Sequence, residues 1–298
     1  MSKKDKRGFG NVAFPSAAED AGYARDIAET PQTASSSYRL AFTDEDFMLQ
    51  NELRPVRLQL ELLKPEMAMQ EREIDATVVI FGSARIPEPS EAEREFALAE
   101  AALAADVDNA GLVKLLKVAK NRRAISHYYD EARKLAALIA QDAKDAEKPR
   151  LHVMTGGGPG IMEAANRGAD DVGGESIGLN IVLPHEQRPN AWITPDLSFR
   201  FHYFALRKMH FLMRAKALVV FPGGFGTLDE FFEALTLLQT QKVKSLPVLV
   251  FGKSFWQSVI NFDELVDQGM ISEEDLDLFS YVESADQAWS IIRQHCGY

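Results

Sequence analysis

Residues 217–230 read ALVVFPGGFGTLDE: five apolar residues, then a proline, three glycines and the start of a second apolar-periodic stretch at Leu228. A short apolar run bounded by turn residues is the mark of a buried strand, and the spacing after it is helical. Glycines in such a turn let backbone N–H groups approach an anion without a Cβ in the way. The helix N-terminus that follows adds a favourable dipole. The stretch therefore reads either as a tight strand-to-helix turn or as a cradle for a phosphate with Glu230 at its edge.

The same design recurs elsewhere. TVVIFGS (77–83), LHVMTGGGPG (151–160), SIGLNIVLP (176–184) and LPVLVFG (246–252) supply four more strands. Helical patterns lie at about 127–142, 160–170, 203–214, 227–240 and 254–268. Alternating strands and helices with continuously apolar strands imply an α/β fold: a Rossmann-like, doubly wound parallel sheet covered by helices on both faces. Ligands bind beyond the carboxyl ends of such strands. The glycine-bearing turns after Phe81, Thr155 and Phe221 all fall on that edge.

Ahead of this core, residues 1–42 are rich in Ala, Ser, Asp and Glu without periodicity, and read as a disordered or loosely attached arm. Residues 43–73 form an expected helical extension, opened by a Thr43/Asp46 capping pattern and carrying Leu49, Leu53, Val56, Leu60 and Leu63 at helical spacing. Pro55 and Pro65 are expected to kink or divide it. Residues 74–298 are then a single Rossmann-like domain, with the phosphate-binding turns and an insertion at about 86–124. The insertion contains a strong helix former, AEREFALAEAALAAD, and a basic run at Lys114, Lys117, Lys120, Arg122 and Arg123 that reads as a solvated helix face.

Of 298 residues, 46% are hydrophobic, and 33 basic against 44 acidic residues give a net charge of −11. That balance argues against nucleic-acid and anionic-membrane partners, because both depend on basic surface. A small anionic substrate is still allowed. The lone Cys296 leaves no disulfide framework or thiolate metal site within the chain, and no apolar run is long enough to cross a bilayer. The expectation is a cytoplasmic protein without metal or cofactor.

Two named phosphate-binding patterns fail. G-x-G-x-x-G counted from Gly156 meets Ile161, and counted from Gly224 meets Asp229; no glycine loop carries the lysine of a triphosphate-binding G-x-x-x-x-G-K-[ST] loop. A single phosphate remains the best fit for turns of this kind. Thr227 to Glu230 also spells T-x-x-E, so Glu230 reads equally as the reciprocal partner in a helix cap.

PGGFGTLDE has the form P-G-G-x-G-T-x-x-E and resembles the signature of the LONELY GUY family of nucleoside-monophosphate phosphoribohydrolases, long mislabelled lysine decarboxylases. GGGPGIMEAANRGA (156–169) resembles the family's other glycine loop, IFGSAR (80–85) its first strand and turn, and Arg207-Lys208 its paired basic residues. The likeness covers about residues 76–270. It implies Arg207 and Glu230 as the catalytic pair, Lys208 as the second basic residue, and Gly223, Gly224, Gly226 and Thr227 as the phosphate loop. Gly82, Ser83, Gly156, Gly157, Gly158, Phe225 and Thr236 complete the expected substrate-binding set. Phe204-Ala205-Leu206 stands where many plant-type members carry Met-His-Glu, and LPHEQRPN (183–190) and the insertion look like a larger bacterial branch.

The implied reaction is hydrolysis of the N-glycosidic bond of AMP or a related purine or cytokinin nucleotide to free base and ribose 5-phosphate, by a homodimer or higher homo-oligomer. The alternative is a non-catalytic nucleotide or molybdenum-cofactor carrier of the same fold. Decarboxylation is disfavoured, since no pattern nominates a Schiff-base lysine. His202 and His210, flanking Arg207, read as surface or packing residues.

Overall fold

A computed structural model describes residues 15–25, 27–142, 150–184 and 188–297. The first 14 residues of the expected arm, and residues 185–187 within LPHEQRPN, lie outside them. The chain divides into two compact units, Met1–Leu60 and Glu61–Tyr298.

In the smaller unit, α1 (Ala17–Tyr23) opens on a capping box between Ser16 and Glu19. Helix α2 (Glu45–Met48) is a single turn capped by Asp44, whose carboxylate accepts the Phe47 N–H at 3.3 Å. The cap is thus one residue later than expected. Thr43 closes a 3₁₀ turn instead, its hydroxyl donating to the Leu40 carbonyl. Arg57 ties the next segment down by donating to the Met48 and Gln50 carbonyls.

Helix α3 runs Arg54–Glu71. Pro55 lies in its first turn, where a missing N–H costs little. Pro65 is internal and does not divide the helix, because Pro65 and Met69 are buried and their packing offsets the one bond that proline cannot donate.

The larger unit, to which α3 belongs from Glu61 on, is built among its described residues on seven parallel strands: β1 (Ala76–Phe81), β2 (Leu151–Thr155), β3 (Ser176–Ile181), β4 (Ser198–Phe201), β5 (Ala215–Val220), β6 (Val248–Phe251) and β7 (Ser280–Val282). Their order is β4-β3-β2-β1-β5-β6-β7. All five expected strands are present. The two outermost, β4 and β7, are the ones periodicity did not reveal: they are four and three residues long, and only partly buried.

Ala76, Val78 and Ile80 of β1 share a core with α6 (His127–Asp142), α7 (Ile161–Asp171) and α12 (Ala285–Cys296). On the opposite face, Phe81 meets Phe211 of α8 (Phe204–Met213) edge-on at 4.9 Å. Phe231 of α9 (Phe225–Gln239) packs on Trp256 of α10 (Lys253–Val259). The expected helix over 254–268 is broken at Ile260, and a second helix, α11 (Phe262–Asp267), restarts under an Asn261 cap.

The insertion is a helical hairpin, α4 (Pro89–Ala105) and α5 (Ala110–Ile125), stapled by Arg122–Glu95 and Arg123–Glu93 ion pairs. Two of its five basic residues are therefore consumed within the hairpin. Lys114, Lys117 and Lys120 are exposed, as a solvated face requires. No helix among the described residues is long and apolar enough to cross a membrane.

Candidate active site

Strand order reverses at β1. The chain moves outward through β2, β3 and β4 on one side, then returns to place β5 on the other. The crevice beyond the carboxyl ends of β1 and β5 is where such a sheet binds ligands, and a cavity of about 690 Å³ opens there.

Three turns meet at this point and are joined through their backbones. Phe221 donates its N–H to the Phe81 carbonyl at 2.8 Å, Ser83 to Pro222 at 3.0 Å, and Ile161 to Ser83 at 3.1 Å. Gly160 has φ +70°, and a Cβ there would fall on the Ser83 carbonyl oxygen. Behind the second loop, Thr155 Oγ1 donates to Asn166 Oδ1 at 2.7 Å, and Asn166 Nδ2 donates to Ser176 Oγ at 2.9 Å. Asn190 Nδ2 reaches Asn166 Oδ1 and the Gly158 carbonyl, both at 3.0 Å. A buried network this fully paired fixes loop geometry.

The turn after β5 leads directly into α9, whose N-cap is Gly224 and whose first residues are Phe225 and Gly226. Their N–H groups lie in the first turn, where a helix supplies no acceptor of its own. Thr227 is the third residue of the helix and is buried, so T-x-x-E does not form a cap here. A Cβ on Gly223 would fall on Thr227 Oγ1. Glu230 is thereby released from the capping role and lines the cavity, with Arg207 also on its wall.

Burial pushes the Glu230 carboxyl up to about 7; Lys208 and Arg207 draw it down, while Glu233 and Asp229 add to the rise. Arg207 is anchored by an Nε–H bond to the Leu179 carbonyl at 2.7 Å, and its guanidinium lies 5.3 Å from the Phe211 ring centre. Its Nη2 closes on Gly156, where a Cβ would stand only 2.7 Å away. Burial lowers the Arg207 pKa, and the Glu230 charge opposes that fall.

Helix α8, which carries Arg207, is held at both ends by α3. The Glu61 carboxylate accepts the N–H groups of His202 and Tyr203 at 2.9 and 3.1 Å, capping an N-terminus that has no cap of its own. Glu66 pairs with Arg214 just past the other end, and its carboxylate lies 3.4 Å from His210 Nδ1. His210 is fully buried beside Phe201, and His202 is exposed against Tyr203.

Of the residues expected from sequence, Arg207, Glu230, Gly82, Ser83, Gly156, Gly223, Gly224, Phe225, Gly226 and Thr227 come together on the cavity wall. Four lie elsewhere. Gly157 and Gly158 sit one layer behind, in the Asn190 network. Thr236 is exposed and lines a separate small depression with Phe232 and Phe262. Lys208 turns its ammonium to Asp229 and Glu233.

Sequence reasoning missed Arg85, Met162, Phe204, Phe211, Phe255 and Val259 on the wall. A signal existed for two of them: Phe204, Arg207 and Phe211 share one face of α8 at i, i+3, i+7 spacing. Arg85 follows the first turn, its backbone N–H donating to Ser83 Oγ at 3.0 Å, and its side chain is exposed.

Parts of the chain are similar to known proteins. Residues 162–292 match the family model described as possible lysine decarboxylase. A cytokinin riboside 5'-monophosphate phosphoribohydrolase of Arabidopsis thaliana is 24% identical over 172 residues, 56% of this chain and 76% of that protein. A probable enzyme of the same name from Oryza sativa subsp. japonica is 30% identical over 124 residues, 40% of this chain and about half (49%) of its own length. Over these stretches the chain is similar to cytokinin riboside 5'-monophosphate phosphoribohydrolases. A molybdenum cofactor carrier protein from Chlamydomonas reinhardtii is 15% identical over 75% of this chain and 99% of its own, with a TM-score of 0.44. The family-model match includes Arg207, Glu230 and the loop after β5 but begins beyond the first two turns, so it is the cavity that unites all three.

Proposed function

We propose that this protein is a member of the LONELY GUY family and hydrolyses the N-glycosidic bond of a purine nucleoside 5'-monophosphate, AMP or a cytokinin nucleotide, releasing free base and ribose 5-phosphate. The observation that carries the reading is Glu230: a half-buried carboxyl on the cavity wall, its proton affinity raised to about 7, beside a glycine loop that opens a helix.

The bond from C1' to the base nitrogen breaks with its electron pair going to the base, which takes up a proton. The ribose acquires oxocarbenium character, and an ionised carboxylate alongside stabilises that charge. Water adds to C1', its proton passing to Glu230, and ribose 5-phosphate is left. Arg207 is suited to negative charge, whether on the phosphate or on the departing base. The N–H groups at the start of α9 suit the 5'-phosphate. Arg85 adds a nearby cation, which matters in a chain of net charge −11. The apolar wall of Met162, Phe204, Phe255 and Val259 suits a base.

The deciding experiment is chromatographic detection of free base from a panel of purine and pyrimidine monophosphates. Release from a purine monophosphate, lost in Glu230→Gln and in Arg207→Ala, is expected. Tight binding of one nucleotide with no base released would replace the enzyme with a carrier. A homodimer or larger assembly is part of the same proposal, and light scattering of the full chain should give at least twice the 33.2 kDa chain mass.

A further inference from the structure

Resting on that reading of the cavity, we infer that Lys208 is a positioning residue, which pins α8 to α9 and so fixes Arg207 and Glu230 relative to each other without touching substrate. Lys208 follows Arg207 directly on α8, and its Nζ lies 2.8 Å from Asp229 Oδ2 and 2.7 Å from Glu233 Oε2. These two carboxylates flank Glu230 on α9, one residue before it and three after. The ammonium therefore bridges the helix that carries one catalytic residue to the turn that carries the other. It is largely buried, with a side-chain exposure of 16%, and is absent from the cavity wall that Arg207 and Glu230 share.

The arrangement has an electrostatic consequence. Asp229, Glu230 and Glu233 are three carboxylates within two turns of one helix; burial is the main cause of the raised proton affinity of Glu230, and repulsion from the other two adds to it. The charged groups acting on Glu230 are Arg207 and Lys208 from α8 and Asp229 and Glu233 from its own helix. Lys208 opposes the rise twice: by its own charge, and by neutralising the two neighbouring carboxylates. A lysine serving as a phosphate ligand would leave Asp229 and Glu233 without this partner.

The test uses the full chain. Glu230 is titrated by carbon NMR of protein labelled at glutamate Cδ, assigned by its loss in Glu230→Gln, and ribose 5-phosphate binding is measured by calorimetry. In Lys208→Met the Glu230 midpoint is expected to move to higher pH while the ribose 5-phosphate Kd changes less than about threefold. In turnover kcat should fall about tenfold or more, since small misplacement of reacting groups is costly, and Lys208→Arg should recover most of it. Glu233→Gln leaves the lysine in place but frees it from one partner. A positioning role predicts a lower kcat in that variant, and a ligand role predicts none; the variant also serves if Lys208→Met does not fold. A tenfold weaker Kd for ribose 5-phosphate in Lys208→Met with an unmoved Glu230 midpoint would overturn the inference, as would wild-type kcat and midpoint in both variants. Absence of base release by the wild type is a separate failure, of the proposed reaction, because the titration and the ribose 5-phosphate binding do not depend on turnover.

Discussion

Glu230 has opposite consequences for stability and for activity, and both are measurable. Its folded value of about 7 stands above the ordinary 4.5. A carboxyl shifted upward contributes its full stabilisation below the unfolded value, and loses it as pH rises through the folded one. Glu230→Gln stays neutral throughout. It is expected to match the wild type in urea unfolding at pH 4 and to exceed it by ~1–2 kcal/mol at pH 8, after discounting for partial exposure. The same substitution should lower turnover by at least about 100-fold. In the wild type, kcat/KM should climb with pH through the neutral range as the carboxylate ionises.

Arg85 permits a separate test at this scale. Arg85→Met should raise the KM for a nucleoside monophosphate about tenfold with little change in melting temperature, since the side chain is exposed and a charge-assisted contact is worth about 1.5–3 kcal/mol. Gly223 and Gly224 divide equally clearly. A Cβ at Gly223 falls on Thr227 Oγ1, whereas at Gly224 it meets nothing within 4 Å. Gly223→Ala should cost about 1–3 kcal/mol of stability, while Gly224→Ala should leave it nearly unchanged.

Among the elements, α8 depends on residues remote in sequence. Its N-terminus is capped by Glu61, 141 residues away from His202. Glu61→Ala removes both acceptors and should destabilise the fold by about 1–2 kcal/mol, with a loss of kcat as Arg207 loosens. Glu61→Gln, which keeps one acceptor oxygen, should lie between; calorimetry and initial rates on the same samples check both. The central strands and most helices were legible because burial on both faces leaves long apolar runs, and amphipathic faces leave a 3.6-residue period. The edge strands SFRF and SYV were not, because three or four residues with one covered face carry no period to detect. The T-x-x-E motif misled in a different way. It has the spacing of a cap, but the helix begins two residues before Thr227, at Phe225, because Gly224 already supplies the N-cap.

For the whole molecule, net charge and topology carry separate messages. A charge of −11 predicts no retention on heparin at about 50 mM salt, where a nucleic-acid-binding surface would bind; a bound fraction would point to a local basic face such as Lys114, Lys117 and Lys120. By itself the sequence determined the alternation of strand and helix, the edge of the sheet on which the glycine turns lie, and the signature that nominates Arg207 and Glu230. Those are properties of neighbouring residues, written in periodicity and in the few residue types a tight turn tolerates. Only the tertiary structure decided that three turns close on one another at the reversal between β1 and β5. It alone turned Lys208 away from the cavity to Asp229 and Glu233, left Thr236 outside, and brought Arg85 and the aromatic wall in. Each of these depends on which distant element packs against which. Local spacing leaves that choice open, because the burial and electrostatic terms that settle it exist only once the sheet is assembled.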